Sequence, residues 1–212
     1  MYTAHPSQTL NALFGPKPYQ GADPLQSEFL FVGLDANYAA DIEQSSAFEA
    51  AKQYHEDGVG FWRRHGVHHP FLLPSYTGDG RKYHRNFARI GFMPEHAPLV
   101  SFIELLHVPT VGRNTLTVSD LKLHHLQYVN AAITSGQARH VFLSDGVARL
   151  MRKSGAFPWL GDATLSDGPL PIFYADGVRT VYKHLHFSNY GKFEARMHTK
   201  AQAIAALLPS AG

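Results

Sequence analysis

The feature that most constrains this chain is Phe29-Leu30-Phe31-Val32-Gly33, an apolar run closed by glycine and followed at once by Leu34-Asp35-Ala36-Asn37-Tyr38. Aromatic and β-branched residues without polar alternation describe a strand buried on both faces, as in a parallel sheet covered by helices. Beyond Asn37 the pattern turns helical, with Ala39, Ala40, Ile42, Phe48 and Ala51 among polar neighbours. A buried strand, a turn holding a carboxylate and a helix start form the kind of corner at which open α/β sheets bind ligands. Asp35 is therefore the first candidate for chemistry, with capping of the next helix as its structural alternative.

The rest of the chain repeats this alternation. Short helices are expected over 8–14 and 84–90, the latter closed by Gly91, and longer ones over 38–56 and 121–134, the last with Ser119 as cap. Strands are expected over 99–106, 140–143, 171–174 and 180–184. Ser144-Asp145-Gly146 turns the chain into a short helix through Met151, and an amphipathic helix over 190–208 closes the chain. Residues 61–83, dense in His, Pro, Gly and aromatics, read as a long connection of the kind that binds something. The alternation predicts one α/β domain over 1–212, a three-layer α/β/α sandwich around a central, mostly parallel sheet.

Composition narrows the function. At 212 residues and 44% hydrophobic content the chain can bury a full core. It has no cysteine, which excludes disulfides, thiolate metal sites and cysteine nucleophiles. No leader pattern opens the sequence and no stretch is long and apolar enough for a membrane span, so a cytoplasmic monomer without a membrane partner is expected. The net charge of +2 is a weak global footprint for nucleic acid. Local clusters are stronger: Arg63-Arg64-His65, then Arg81, Lys82, Arg85 and Arg89, then Lys183 to Lys192, interleaved with Trp62, Tyr76, Tyr83, Tyr190 and Phe193. Basic groups among aromatics suit a groove that tracks a nucleic-acid backbone, and an ordinary solvated surface is the alternative.

A second constellation is His184-Leu185-His186-Phe187-Ser188-Asn189-Tyr190, between the last strand and the closing helix. A histidine leaving a strand can act as a general acid or as a donor to a developing anion, and free N–H groups beside it can receive phosphate.

Together the two stretches resemble the uracil-DNA glycosylase superfamily. That family carries a first motif like Gly-Gln-Asp-Pro-Tyr-His after its first strand and a second like His-Pro-Ser-Pro-Leu before its last helix. Gly33, Asp35 and Tyr38 fall on the first motif, His186 and Ser188 on the second; Phe187 stands where the family commonly has proline. The resemblance implies a DNA glycosylase that flips a nucleotide out of the duplex and leaves an abasic site. Asp35 would position water and support the sugar cation, and His186 would stabilise the leaving base. Tyr38, Asn37 and Phe71 would hold the base, with Phe71 or Phe61 as the platform on which it stacks. Ser188, Asn189, Thr110, Arg113 and Lys192 would hold DNA backbone, and Tyr190 would fill the gap in the duplex. No metal or cofactor is implied, and DNA is the partner.

The chain departs from the family at Ser101-Phe-Ile-Glu104. Many uracil-specific members end this strand in Asn, whereas here Glu104 takes the place. An ionised carboxylate only accepts hydrogen bonds. It would turn away the uracil carbonyl and favour an amino-bearing or modified pyrimidine, such as a modified cytosine met in anti-phage defence. The alternative is a glutamate that only pairs with a nearby cation.

Other motifs carry less. His65-Gly-Val-His68-His69-Pro70 has ligand-like spacing, but no accompanying carboxylate signature supports a metal. Gly78-Asp79-Gly80 lacks the Lys-Ser/Thr of a triphosphate loop, and no Gly-x-Ser-x-Gly elbow is present. Two other function classes stay open: a non-catalytic module that recognises a DNA base, and a hydrolase of free nucleosides.

Overall fold

The computed structural model describes residues 2–112, 115–189 and 191–208. It is an α/β protein with a six-strand mixed, mostly parallel sheet flanked by helices. The strands are β1 (Tyr19–Gly21), β2 (Phe29–Gly33), β4 (Val100–Glu104), β6 (His140–Leu143), β7 (Ile172–Ala175) and β8 (Thr180–Lys183), in the order β1-β4-β2-β6-β8-β7. The inner four are parallel; β1 and β7 run antiparallel at the edges. Two further strands, β3 (Asn37–Tyr38) and β5 (Thr110–Val111), form a separate parallel pair.

The period-two alternation of the strands sorts the core by shape. Leu30, Val32, Ile103, Val141, Leu143 and Val181 pack with helices α5 (Leu123–Thr134) and α6 (Asp145–Ser154). Phe29, Phe31, Phe102 and Phe142 pack with α3 (Gly58–His65), α4 (Arg81–Ala88) and α7 (Glu194–Ala205). On that aromatic side Phe31 stacks on Phe142 at 4.6 Å and on Phe102 at 5.6 Å, so one ladder of rings crosses three strands. Each buried ring contributes about 1.5–3 kcal/mol by leaving water. After β4, Leu105, Leu106 and α5 pack on the aliphatic side, whereas α3, which follows β2 in the chain, packs on the aromatic side; connections to opposite faces open a crevice at the carboxyl ends of these two strands.

Helix α1 (Gln8–Phe14) and the strands over 140–143 and 180–183 lie where the sequence puts them. Other boundaries differ for local reasons. The expected helix over 38–56 begins only at α2 (Phe48–Glu56), because Asn37 and Tyr38 pair with Thr110 and Val111. Ser45 then competes for the backbone, its hydroxyl accepting the Ala47 N–H at 3.2 Å. The expected connection over 61–83 instead holds all but the start of α3 and a 3-10 turn at Pro70–Leu72. Asp57 caps α3 by accepting the Gly60 N–H at 2.7 Å, and Gly66 ends it at φ 68°. Gly58, which reads as a stop, is required by close approach: a Cβ there would lie 2.8 Å from the Gly21 backbone of β1. Ser119 is not the cap of α5, which starts at Leu123 after a 3-10 turn at Val118–Asp120. The closing helix starts at Glu194, paired with Arg89 at 2.5 Å, rather than at 190. No helix among the described residues is long and apolar enough to cross a membrane.

Candidate functional site

Parallel register brings four strand ends to one level. Gly33 of β2 lies opposite Glu104 of β4, Val32 opposite Leu143 of β6, and Leu143 opposite Lys183 of β8. The residues just beyond these ends are Asp35, Glu104 and His186, and all three line one cavity of about 640 Å³. Asn37, Tyr38 and Phe71 line it as well.

Glu104 lies directly over Gly33. A Cβ at position 33 would fall 1.9 Å from the Glu104 carboxyl oxygen, so only glycine leaves that carboxyl its place. No salt bridge or side-chain hydrogen bond to its carboxyl is made among the described residues; its backbone carbonyl accepts the Nε2–H of His125 at 2.7 Å. Tyr38, Tyr54 and Tyr83 line the same cavity. Burial, and then the charge of Asp35, pushes the Glu104 carboxyl up to about 8. At neutral pH it therefore keeps its proton. That corrects the expectation of an ionised, accept-only Glu104, and with it the argument against a uracil carbonyl.

Asp35 is held by a short relay. The Thr110 hydroxyl donates to Asp35 Oδ2, and the Asn37 amide donates to Thr110 Oγ1 at 3.0 Å and to the Gly112 carbonyl at 2.7 Å. The β3–β5 pair fixes the spacing of this relay. Thr110 is fully buried and its proton is given to Asp35. It therefore positions the carboxylate and does not face a phosphate, contrary to the sequence expectation.

His186 is oriented by its own turn. Its Nδ1 accepts the Ser188 N–H at 3.3 Å and lies 2.6 Å from the Ser188 hydroxyl. An accepting Nδ1 leaves the proton of the neutral ring on Nε2. Burial lowers the imidazole below its ordinary value while Asp35 opposes the shift, so the neutral ring prevails at pH 7. The turn is pinned from α4, where buried Asn86 donates to the carbonyls of Phe187 at 2.6 Å and Asn189 at 3.1 Å. Asn189 closes the turn by donating to the His186 carbonyl at 2.9 Å. The Tyr83 ring lies 5.4 Å from the imidazole.

The cavity wall is built from residues to which the sequence reading gave no role. His69 and His84 stack at 3.5 Å with their planes 7° apart, and His68 Nε2 and His84 Nδ1 share a hydrogen bond of 3.2 Å. Burial lowers all three, His84 to about 3, so the wall is uncharged at neutral pH. No group of three or more His, Cys, Asp or Glu among the described residues is arranged to hold a metal ion. Gln20, Tyr54 and Asn86 also have no place in the sequence reading. Asn86 had no sequence signal, since its partners lie a hundred positions away, while Tyr83 ends the aromatic-rich stretch over 61–83 and His84 opens the next expected helix.

Several expected residues take other places. Phe71 is buried with one face against Tyr76 at 4.2 Å, leaving only its other face for a ligand. Ser188 is exposed beside His186 and serves its Nδ1. Lys192 is exposed, its Nζ 5.3 Å from the Phe193 ring centre, and does not line the cavity. Arg113 and Tyr190 lie outside the described residues.

No protein-family model, curated protein or solved structure matches the chain.

Proposed function

We propose that this protein is a monofunctional DNA glycosylase with a uracil-DNA glycosylase-like, three-layer fold, which hydrolyses the N-glycosidic bond of a flipped-out base. The observation that carries the reading is that Asp35 and His186, some hundred and fifty positions apart, line one cavity at the carboxyl ends of parallel strands. As the bond from the sugar to the base nitrogen breaks, its electron pair leaves with the base and positive charge gathers on the sugar. Asp35 stabilises that charge and accepts a proton from the water that attacks the sugar carbon. His186 donates its Nε2–H to the carbonyl oxygen of the leaving base, a neutral donor aimed at a developing anion. No described lysine lines the cavity to form a Schiff base, so the abasic site is left uncut.

The base is a pyrimidine that carries an amino group, a further substituent, or both. An exocyclic amine donates to Glu104. The cavity of about 640 Å³ lies within the range of roughly 300–1,000 Å³ that takes drug-sized ligands, more than a plain pyrimidine needs. Lys192 with Ser188 and Asn189 borders the same turn as His186 and supplies backbone contacts.

The test is single-turnover release of free base from duplexes carrying uracil, hypoxanthine, cytosine, hydroxymethylcytosine or glucosylated hydroxymethylcytosine, read by mass spectrometry. Release from one of them, with an alkali-labile strand and weakening at high salt, supports the reading. Release from mononucleosides with no salt dependence marks a nucleoside hydrolase. Tight binding without release marks a recognition module.

A further inference from the structure

We infer that Glu104 acts as a carboxylic acid that reads a donor–acceptor pair on a heterocycle's edge, its O–H donating to the ring and its C=O accepting from it. The inference rests on the base-binding reading above and deepens it by naming the chemistry of the recognised edge.

Three observations carry it. The Glu104 carboxyl lines the cavity without a hydrogen-bond or ion-pair partner among the described residues, so its polar atoms are left for a ligand. Glycine at position 33 leaves the carboxyl room over the strand end, since a side chain there would displace it. The neighbouring wall is neutral and aromatic: Tyr38 of β3, Tyr54 of α2, Tyr83 of α4 and Phe71.

A lone carboxylate in such a place would be a half-buried charge with no ion-pair partner among the described residues, which is costly. An acid is not. It gives one hydrogen bond and takes another, as an amide does. On a cytosine-type base the O–H donates to the unprotonated ring nitrogen and the C=O accepts from the amine. On a uracil-type base the O–H donates to the carbonyl and the C=O accepts from the ring N–H. The ionised form offers two acceptors and opposes the acceptor on either edge.

The titratable groups around the carboxyl leave its proton as the one that changes near pH 8. Asp35, from the turn after β2, is the charged neighbour and adds to the upward shift. Tyr38, Tyr54 and Tyr83 are all raised by burial and stay protonated. His69 and His84 on the wall, His186 from the turn after β8, and His125 of α5 are all lowered and stay neutral.

The experiment uses the intact protein labelled with 13C at glutamate carboxyls, titrated by NMR with 1-methyl-5-hydroxymethylcytosine, 1-methyluracil and, as a blocked edge, 1,3-dimethyluracil, the 1-methyl group standing for the sugar bond and closing the N1–H edge. The expected result is a carboxyl signal, lost in Glu104→Gln, with a midpoint about pH 8, and affinity for the first two bases falling about tenfold per pH unit above it. Glu104→Gln, still a donor–acceptor pair, should keep binding within about threefold and lose the pH dependence. 1,3-Dimethyluracil should bind weakly throughout. A midpoint in the ordinary carboxylate range, pH-independent affinity, no saturable shift with either base, or equal binding of the blocked base would overturn the inference. Base excision that persists with pH-flat binding removes this inference alone; pH-gated binding without excision removes only the glycosylase reading.

Discussion

Two carboxyl groups share one cavity and are set up in opposite ways. Asp35 accepts the Thr110 hydroxyl, which is itself held by Asn37, and faces the imidazole side of the cavity. Glu104 makes no side-chain hydrogen bond among the described residues, and burial drives its proton on. The first is organised to present charge to a reacting sugar, the second to present an edge to a base. The difference comes from the neighbours: the two-strand ladder beside Asp35 carries the Thr110 hydroxyl and the Asn37 amide as donors, while Gly33 beside Glu104 supplies only space.

Substitutions sharpen or break that contrast. Asp35→Asn has the largest expected effect, a loss of at least about a thousandfold in single-turnover excision with DNA affinity nearly unchanged; a loss in affinity alone would make Asp35 a binding group. His186→Ala should follow with a loss of about a hundredfold or more, the typical cost of one donor to a developing anion. If excision survives, the donor lies elsewhere on the wall.

Glu104→Gln should instead act on stability. In the unfolded chain this carboxyl ionises above its ordinary 4.5, whereas in the folded chain it holds its proton to about 8. Folding is therefore weakened as pH rises through that window, and the glutamine variant should gain about 2–4 kcal/mol at pH 9 and little near pH 4.5. Thermal melts at the two pH values measure it, and an equal gain at both would mean Glu104 is not held as an acid. Asn86→Ala has the smallest expected effect, about tenfold in the chemical step, because it loosens the His186 turn without touching substrate. A larger loss in affinity than in rate would show that the turn binds DNA more than it positions the imidazole.

Much of this was readable in the chain before any coordinates. Phe29 to Val32 and Val141 to Leu143 are apolar on both faces and could only be inner strands. Asp35 stood out because it follows one such run, and His186 because it leaves the strand expected over 180–184. The rest depended on distant partners. β1 has no pattern of its own and exists because β4 offers a free edge to Tyr19–Gly21. α3 was hidden by Gly58 and Gly60, which suit a helix start only when Gly21 and the Asp57 carboxylate are packed against them. The protonation of Glu104 could not be read from residue type, since it follows from burial beside Asp35.

The central claim is that the Asp35 carboxylate faces a sugar bearing positive charge, and a pair of abasic analogues tests it directly. Affinity is measured for duplexes carrying either a cationic pyrrolidine or a neutral tetrahydrofuran in place of the sugar, with the wild-type protein and Asp35→Asn. The account predicts that the wild type prefers the cationic duplex by about a hundredfold or more and that the variant loses this preference. Equal affinity of the wild type for both duplexes would contradict it.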